Sequence, residues 1–272
     1  MTGTEPAAAQ RIDTTKPHPA RVYDWYLGGK DNYPVDEALG RRIAELSGDA
    51  PRAARANRWF MHRATRHLVG KAGIRQFLDI GTGIPTEPNL HQIAQKTAPA
   101  ARVVYVDNDP IVLAHAGALL RGTEEGVTEY IEADAREPRK ILEQAGQILD
   151  LDQPIALSLI ALMHFVAEAD GAYDVVDTLV GALAPGSALV LSAMTADFEP
   201  ESVQRGIEAY AAGGVTLVAR TQDEFGRFFK GLDVLEPGIV SVKDWRPELA
   251  VDETPDPTDG PVSLYGAVGI KS

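Results

Sequence analysis

A chain of 272 residues, 44% of them hydrophobic, is long enough to bury one large α/β core, and that composition excludes global disorder. Its formal net charge of −13 disfavours a loose grip on nucleic acid, because phosphate backbones are held mainly through Lys and Arg. With no cysteine there is no disulfide, thiolate metal site or cysteine nucleophile, and no apolar run reaches the ~18 residues of a membrane span.

Residues 1–20 are polar and rich in Pro, Ala and Thr, without an apolar signal core. They read as a tail, and the expected setting is the cytoplasm. Residues 21–73 read as an N-terminal helical lid that meets a substrate. Its first stretch, Arg21 to Pro34, places four aromatics and two adjacent glycines within 14 residues. The glycine pair argues against a continuous helix. Tyr23, Tyr26 and Tyr33 can wall a ligand, while Lys30, Asp31 and Asn32 can orient its polar groups. The plainer alternative is a short helix and turn packed by its aromatics.

Leu39, Ile43 and Leu46 give an amphipathic helix over Asp36–Leu46. Asp49-Ala50-Pro51 supplies a cap and an early proline for a second helix running to about Val69. Most of its arginines are expected to be solvated, but Arg55, Asn57, Arg58 and Arg63 could bind a carboxylate or phosphate. Arg63 is kept as a substrate candidate.

Strand–helix repeats then begin. Arg75 to Ile80 is a strand, and Gly81-Thr82-Gly83 makes the turn after it. Pro85 and Pro88 are expected in that turn and in the first positions of a helix running to about Thr97. Arg102 to Val106 is a second strand, apolar on both faces as a buried parallel strand requires, and it ends in Asp107-Asn108-Asp109-Pro110. Thr128 to Glu132 is a third, followed by Asp134-Ala135. Pro154 to Ile160 is a fourth and leads into His164. Ser187 to Met194 is a fifth. Thr221 and Glu224 form a capping box, and Val234–Val242 and Ser263–Ile270 read as closing strands.

Such alternation implies a doubly wound, Rossmann-like α/β sheet with ligands at the carboxyl ends of its strands. The candidate cofactor residues there are Asp79, Gly81, Thr82, Gly83, Asp107, Asn108, Asp134, Ala135 and Ile160. Gly81-Thr-Gly83 alone does not discriminate, because Thr86 stands where a dinucleotide fingerprint has its third glycine. Asp79 decides more. A carboxylate just before the first glycine suits a ligand carrying an ammonium and a sulfonium, not a pyrophosphate. Asp107 can accept from ribose hydroxyls, and Asp134 is placed for an adenine amino group. Together they point to S-adenosyl-L-methionine (SAM).

Phe77 to Thr86 and Val103 to Pro110 resemble the first two motifs of class I SAM-dependent methyltransferases. More narrowly, Arg21–Tyr33, Asn57–Arg63 and Arg75–Gly83 together resemble a bacterial S-adenosyl methyltransferase family long catalogued as a domain of unknown function. The resemblance spans roughly residues 20–270, so residues 74–272 are expected to form the SAM-binding domain. It implies a seven-stranded, mostly parallel sheet with an antiparallel last strand. It also implies Asp79, Gly81 and Gly83 at the methionine part of SAM, Asp107 at the ribose and Asp134 at the adenine. His164 is the candidate general base, with a buried, backbone-satisfied histidine as the alternative. The expected acceptor is a small molecule. No nucleic acid, membrane or metal partner is expected, and the oligomeric state is not legible. A non-catalytic SAM sensor or scaffold and an NAD(P)-dependent oxidoreductase are the rival readings.

Overall fold

The computed structural model describes residues 13–119, 121–254 and 260–272. Its sheet is made of β1 (Gln76–Ile80), β2 (Arg102–Asp107), β3 (Val127–Glu132), β4 (Ile155–Ile160), β5 (Ala188–Met194), β6 (Leu232–Val234), β7 (Val240–Ser241) and β8 (Leu264–Lys271). The order is β3-β2-β1-β4-β5-β8-β6, with β7 also paired to β8. Strands β1 to β5 are parallel, and β8 runs antiparallel to β5, β6 and β7. One strand is therefore reversed against all the others. The described sheet has eight strands where seven were expected, because the segment read as one strand over Val234–Val242 is broken by a turn at Pro237-Gly238 into β6 and β7.

The helices are α1 (Pro19–Tyr26), α2 (Pro34–Ser47), α3 (Ala50–Gly70), α4 (Leu90–Thr97), α5 (Pro110–Leu119), α6 (Pro138–Ala145), α7 (Ala172–Gly181), α8 (Pro200–Ala212) and α9 (Gln222–Gly226). Successive strand residues point to opposite faces, and both faces are covered. Leu78, Val104, Val106, Leu157 and Leu191 pack with Ile141 of α6, Val176 of α7 and Phe225 of α9. Phe77, Val103, Tyr105, Ala156 and Val190 pack on the other side with Phe60 and Leu68 of α3 and Leu90 of α4. The second layer is thus led by α3, which lies in the core of the sheet. A separate cluster joins Val22 and Tyr26 of α1, Leu39 and Ile43 of α2 and Tyr210 of α8 above the strand ends.

Local signals explain most boundaries. Thr221 caps α9 by accepting from the Glu224 N–H, and Glu224 accepts back from the Thr221 N–H. Asp49 precedes α3, but its carboxylate holds Arg52 and does not cap the helix. Pro19 and Ala20, read from sequence as tail, form the first turn of α1. Helix α4 starts at Leu90, where the Asn89 N–H donates to Gln92 Oε1 at 2.6 Å, so Pro85 and Pro88 both lie in the preceding loop.

Candidate functional site

After β1 the chain turns on Gly81 (φ 75°) and Gly83 (φ 67°), in the left-handed region that favours glycine. The Gly81 and Thr82 N–H groups both donate to the Val106 carbonyl, at 2.8 and 3.2 Å. A β-carbon at Gly81 would lie 2.7 Å from Leu162 Cδ1, so any side chain there would have to displace Leu162 as well as adopt the left-handed backbone. The Gly83 N–H donates to Asp107 Oδ2 at 2.7 Å and ties the turn to the end of β2.

A cleft of about 430 Å³ opens at these strand ends. Asp79, Gly81, Thr82, Gly83, Asp107, Asn108, Asp134, Ala135 and Ile160 all border it. Asp79 is buried, with the Thr82 hydroxyl 3.4 Å from Oδ2 and Ser158 beside it across the β1–β4 pairing. Burial pushes its carboxyl up to about 6, against the pull of Ser158 and Arg58. Burial also raises Asp107, opposed by the N–H groups of Asp109, Gly83 and Asn108. Three backbone donors occupy that carboxylate, Asn108 and Asp109 on Oδ1 and Gly83 on Oδ2. An ionised carboxylate has about four acceptor positions, so capacity remains on Oδ2. Asp134 is held by Arg136 through Nε at 3.0 Å and Nη2 at 2.6 Å, which keeps its carboxyl below the usual range.

The lid candidates separate. Tyr23 borders the cleft, whereas Lys30, Asp31, Asn32, Tyr33 and Arg63 do not. Asn32 donates to Asp24 at 2.8 Å, Asp31 lies 3.5 Å from His115, Lys30 is exposed, and Tyr33 packs under the Arg21 guanidinium. Arg63 is buried elsewhere, paired with Glu253 at 2.5 Å and donating to the Val242 carbonyl at 2.7 Å. None of these five borders the cleft; Asp31, Asn32 and Tyr33 are held by contacts within or beside the segment, and Arg63 by Glu253 and Val242.

His164 and Tyr26 line a second, apolar cavity of about 90 Å³ between α1, α2, α8 and the end of β4. His164 is corrected as a base. Its Nδ1 accepts the Met194 N–H at 3.2 Å, so in the neutral ring Nε2 carries the proton and can only donate. Burial, aided by Arg220, drives its pKa down to about 3. It is the backbone-satisfied histidine of the alternative reading.

Cleft and cavity share Pro19, Tyr23, Ala161 and Phe165 as walls. A hydrogen-bond chain runs along this junction. The Ala161 N–H donates to Ser192 Oγ, Ser192 to Asn57 Oδ1, Asn57 Nδ2 to the Tyr23 oxygen, and Tyr23 to the Ala54 carbonyl, at 2.9, 2.6, 2.9 and 2.9 Å. Ser192 and Ala161 were not singled out by sequence as site residues, whereas Asn57 was a candidate for a carboxylate or phosphate and instead sits inside this chain. Arg58, another candidate on this helix, does reach the site. It borders the cleft and clamps the loop after the glycine turn by donating to the Thr86 and Pro88 carbonyls. Among the described residues no group of His, Asp and Glu is arranged to hold a metal ion, and no helix is long and apolar enough to cross a membrane.

A family model described as S-adenosyl methyltransferase matches residues 5–272. No curated protein matches the chain. Among solved structures, a DUF574 family protein from Streptomyces avermitilis MA-4680 is 48% identical, with 96% of this chain and 100% of that one covered and a TM-score of 0.92. A protein from Thermobifida fusca YX is 37% identical over 96% of this chain and 97% of its own, with a TM-score of 0.86. A SAM-dependent methyltransferase from Anabaena variabilis ATCC 29413 shares the fold at 14% identity, covering 98% of this chain and all of its own (100%), with a TM-score of 0.52.

Proposed function

The chain belongs to the S-adenosyl methyltransferase family, and on that premise we propose that it catalyses methyl transfer from SAM, held in the cleft, to a small-molecule acceptor. The observation that carries the reading is Asp79, a buried carboxylate at the glycine turn that borders the cleft. Among the described residues it is hydrogen-bonded only by hydroxyls, with no cation in direct contact and Arg58 acting on it through its field. Such a group calls for a cation. The donor set fits the cofactor: Asp79 for the ammonium, Arg58 for the carboxylate, the bare backbone at Gly81 and Gly83 beside the methionine part, the remaining acceptor position of Asp107 for ribose, and Asp134 with Asn108 and Ala135 for adenine. Ile160 supplies an apolar wall.

SAM supplies an electrophilic methyl group when bound. The protein's own residues orient and exclude water, which is the main catalytic requirement of an in-line displacement. No general base is assigned, since His164 cannot take a proton near neutrality. The excess of acidic residues supports a small acceptor over nucleic acid, and the cysteine-free composition supports a cytoplasmic setting.

A dinucleotide is disfavoured because Asp79 would stand beside its pyrophosphate. Titration calorimetry with SAM, S-adenosylhomocysteine and NAD tests this. Binding of SAM and S-adenosylhomocysteine is expected, and tight NAD binding without any response to SAM would overturn it. Incubation with methyl-labelled SAM and a metabolite extract separates an enzyme from a sensor, the sensor being favoured if no label moves.

A further inference from the structure

The apolar cavity beside the cleft is too well formed to be a packing defect. Tyr23, Phe165 and Tyr210 give it aromatic walls, and Val203 and Leu217 add aliphatic ones. Gly206 of α8 borders it, and a β-carbon there would meet no atom within 4 Å outside its own helix turn and chain neighbours. That helix interior is where glycine costs about 1 kcal/mol relative to alanine, and no positive φ requires it at this position. One hydroxyl on the lining, that of Ser263 (7% exposed), is buried without a hydrogen-bond partner, and a second, that of Tyr26 (8% exposed), has only the Tyr210 hydroxyl beside it. A buried hydroxyl without a partner is costly, and a ligand group could satisfy it.

The charges on the lining are already spent. The Asp49 carboxylate holds Arg52 at 2.6 Å and faces the Ser263 N–H, and His164 is a neutral donor. A charged guest would have no counterion and would pay a large desolvation penalty. Size adds a second limit. A dry cavity of about 150 Å³ takes up benzene. At about 90 Å³ this one admits a single ring at most, entering from the junction at Tyr23 and Ala161.

We propose that this cavity holds the ring of the acceptor, a neutral, single-ring molecule with one hydroxyl or amino group recognised by the Tyr26 and Ser263 hydroxyls and a second, the acceptor heteroatom, presented to the cleft at the Tyr23 and Ala161 junction. The proposal rests on the methyl-transfer reading of the cleft. The acceptor heteroatom's lone pair forms the bond to the methyl carbon, the carbon–sulfur bond breaks with its electrons moving to sulfur, and the O–H or N–H proton leaves to water through the cleft.

The test uses 4-fluorophenol as a probe, followed by fluorine NMR on the full chain saturated with S-adenosylhomocysteine. Saturable binding is expected, with 4-fluorobenzoate at least tenfold weaker. Gly206→Leu should fill the cavity and weaken the phenol at least tenfold while S-adenosylhomocysteine binding by calorimetry stays within twofold. Should that variant fold poorly, Gly206→Ala, which adds one methyl to open space, should weaken the phenol by a smaller factor. Tyr26→Phe should weaken 4-fluorophenol but not fluorobenzene. Equal binding of the benzoate, or phenol binding untouched by both Gly206 variants, would overturn the proposal. Failure of the wild-type chain to bind S-adenosylhomocysteine would instead sink the methyl-transfer reading, and the phenol titration without it would still measure the cavity.

Discussion

The cleft takes its polar groups from strand ends, and the cavity takes its walls from helix faces. In the cleft, Asp79 lies near the end of β1, Asp107 ends β2 and Asp134 follows β3, three strands that are neighbours in register. Each is placed by the ladder that carries it. In the cavity, Tyr23, Tyr26, Phe165 and Tyr210 come from α1, the turn after β4 and α8, and meet only when those pieces pack. The first design fixes charge at points, and the second fixes volume. Substitutions in the cleft should therefore act on affinity for a charged ligand. Those in the surrounding helices should act on stability or on acceptor fit.

The largest difference is expected at Asp79. Asp79→Asn removes the anionic partner of a buried cation and should weaken SAM binding by roughly 3–5 kcal/mol, read by calorimetry. The same change should stabilise the ligand-free protein. Because the folded carboxyl titrates near 6 and its ordinary value is 3.8, the folded state holds the proton more tightly. This group's contribution to stability therefore falls as pH rises between about 4 and 6, by about 3 kcal/mol in all. Urea titrations should show the variant gaining that much at pH 7 and nothing at pH 4. In the wild type, SAM affinity should be flat above pH 6 and fall about tenfold per pH unit below it. An unchanged affinity in Asp79→Asn would remove the main distinction between the two regions.

Arg63→Met should do the opposite. It strands the half-buried Glu253 carboxylate that Arg63 pairs with and should cost roughly 3 kcal/mol of stability while leaving SAM affinity within twofold. A large loss of affinity without loss of stability would return Arg63 to the site. Asp107→Ala comes next, with a loss of roughly 1.5–3 kcal/mol in SAM binding for a charged acceptor removed. It also deprives the Gly83, Asn108 and Asp109 N–H groups of their partner, so the loop after β2 should exchange amide hydrogens faster.

The same contrast explains what sequence could reveal. Strand ends follow from apolar runs closed by acids and glycines, so the cleft's border at Asp79, Gly81, Gly83, Asp107 and Asp134 was legible, as was a parallel sheet, while the reversed last strand came only from the family resemblance. The lid was not. Lys30, Asp31, Asn32 and Tyr33 carry suitable chemistry, yet Asp24 and Asp36 draw their neighbours into local turns. Arg63 and Arg58 sit five residues apart on α3, and only the helix's seat on the sheet decides that one faces the cleft and the other Glu253. His164 failed for a related reason, since its backbone donor at Met194 lies 30 positions away. The eighth strand was missed because a turn divides a run that looks continuous.

The smallest predicted effect lies where the two regions meet. Ala161 holds φ 53° without being glycine, directly after β4, and borders both cleft and cavity. A left-handed conformation costs an L-residue roughly 1–2 kcal/mol, while glycine loses roughly 0.5–1 kcal/mol of unfolded-state freedom. Ala161→Gly should therefore raise stability by about 0.5–1 kcal/mol, a shift of about 1–3 °C in Tm for a chain of this size. Its N–H would still donate to Ser192, so the chain through Asn57 to Tyr23 should persist and SAM affinity should stay unchanged. Acceptor binding should weaken, because the methyl group that walls the junction is gone and the ring can settle in more than one pose. A drop in Tm would mean that the methyl's packing outweighs the backbone strain, and that Ala161 belongs with the cavity walls and not with the strand-end frame.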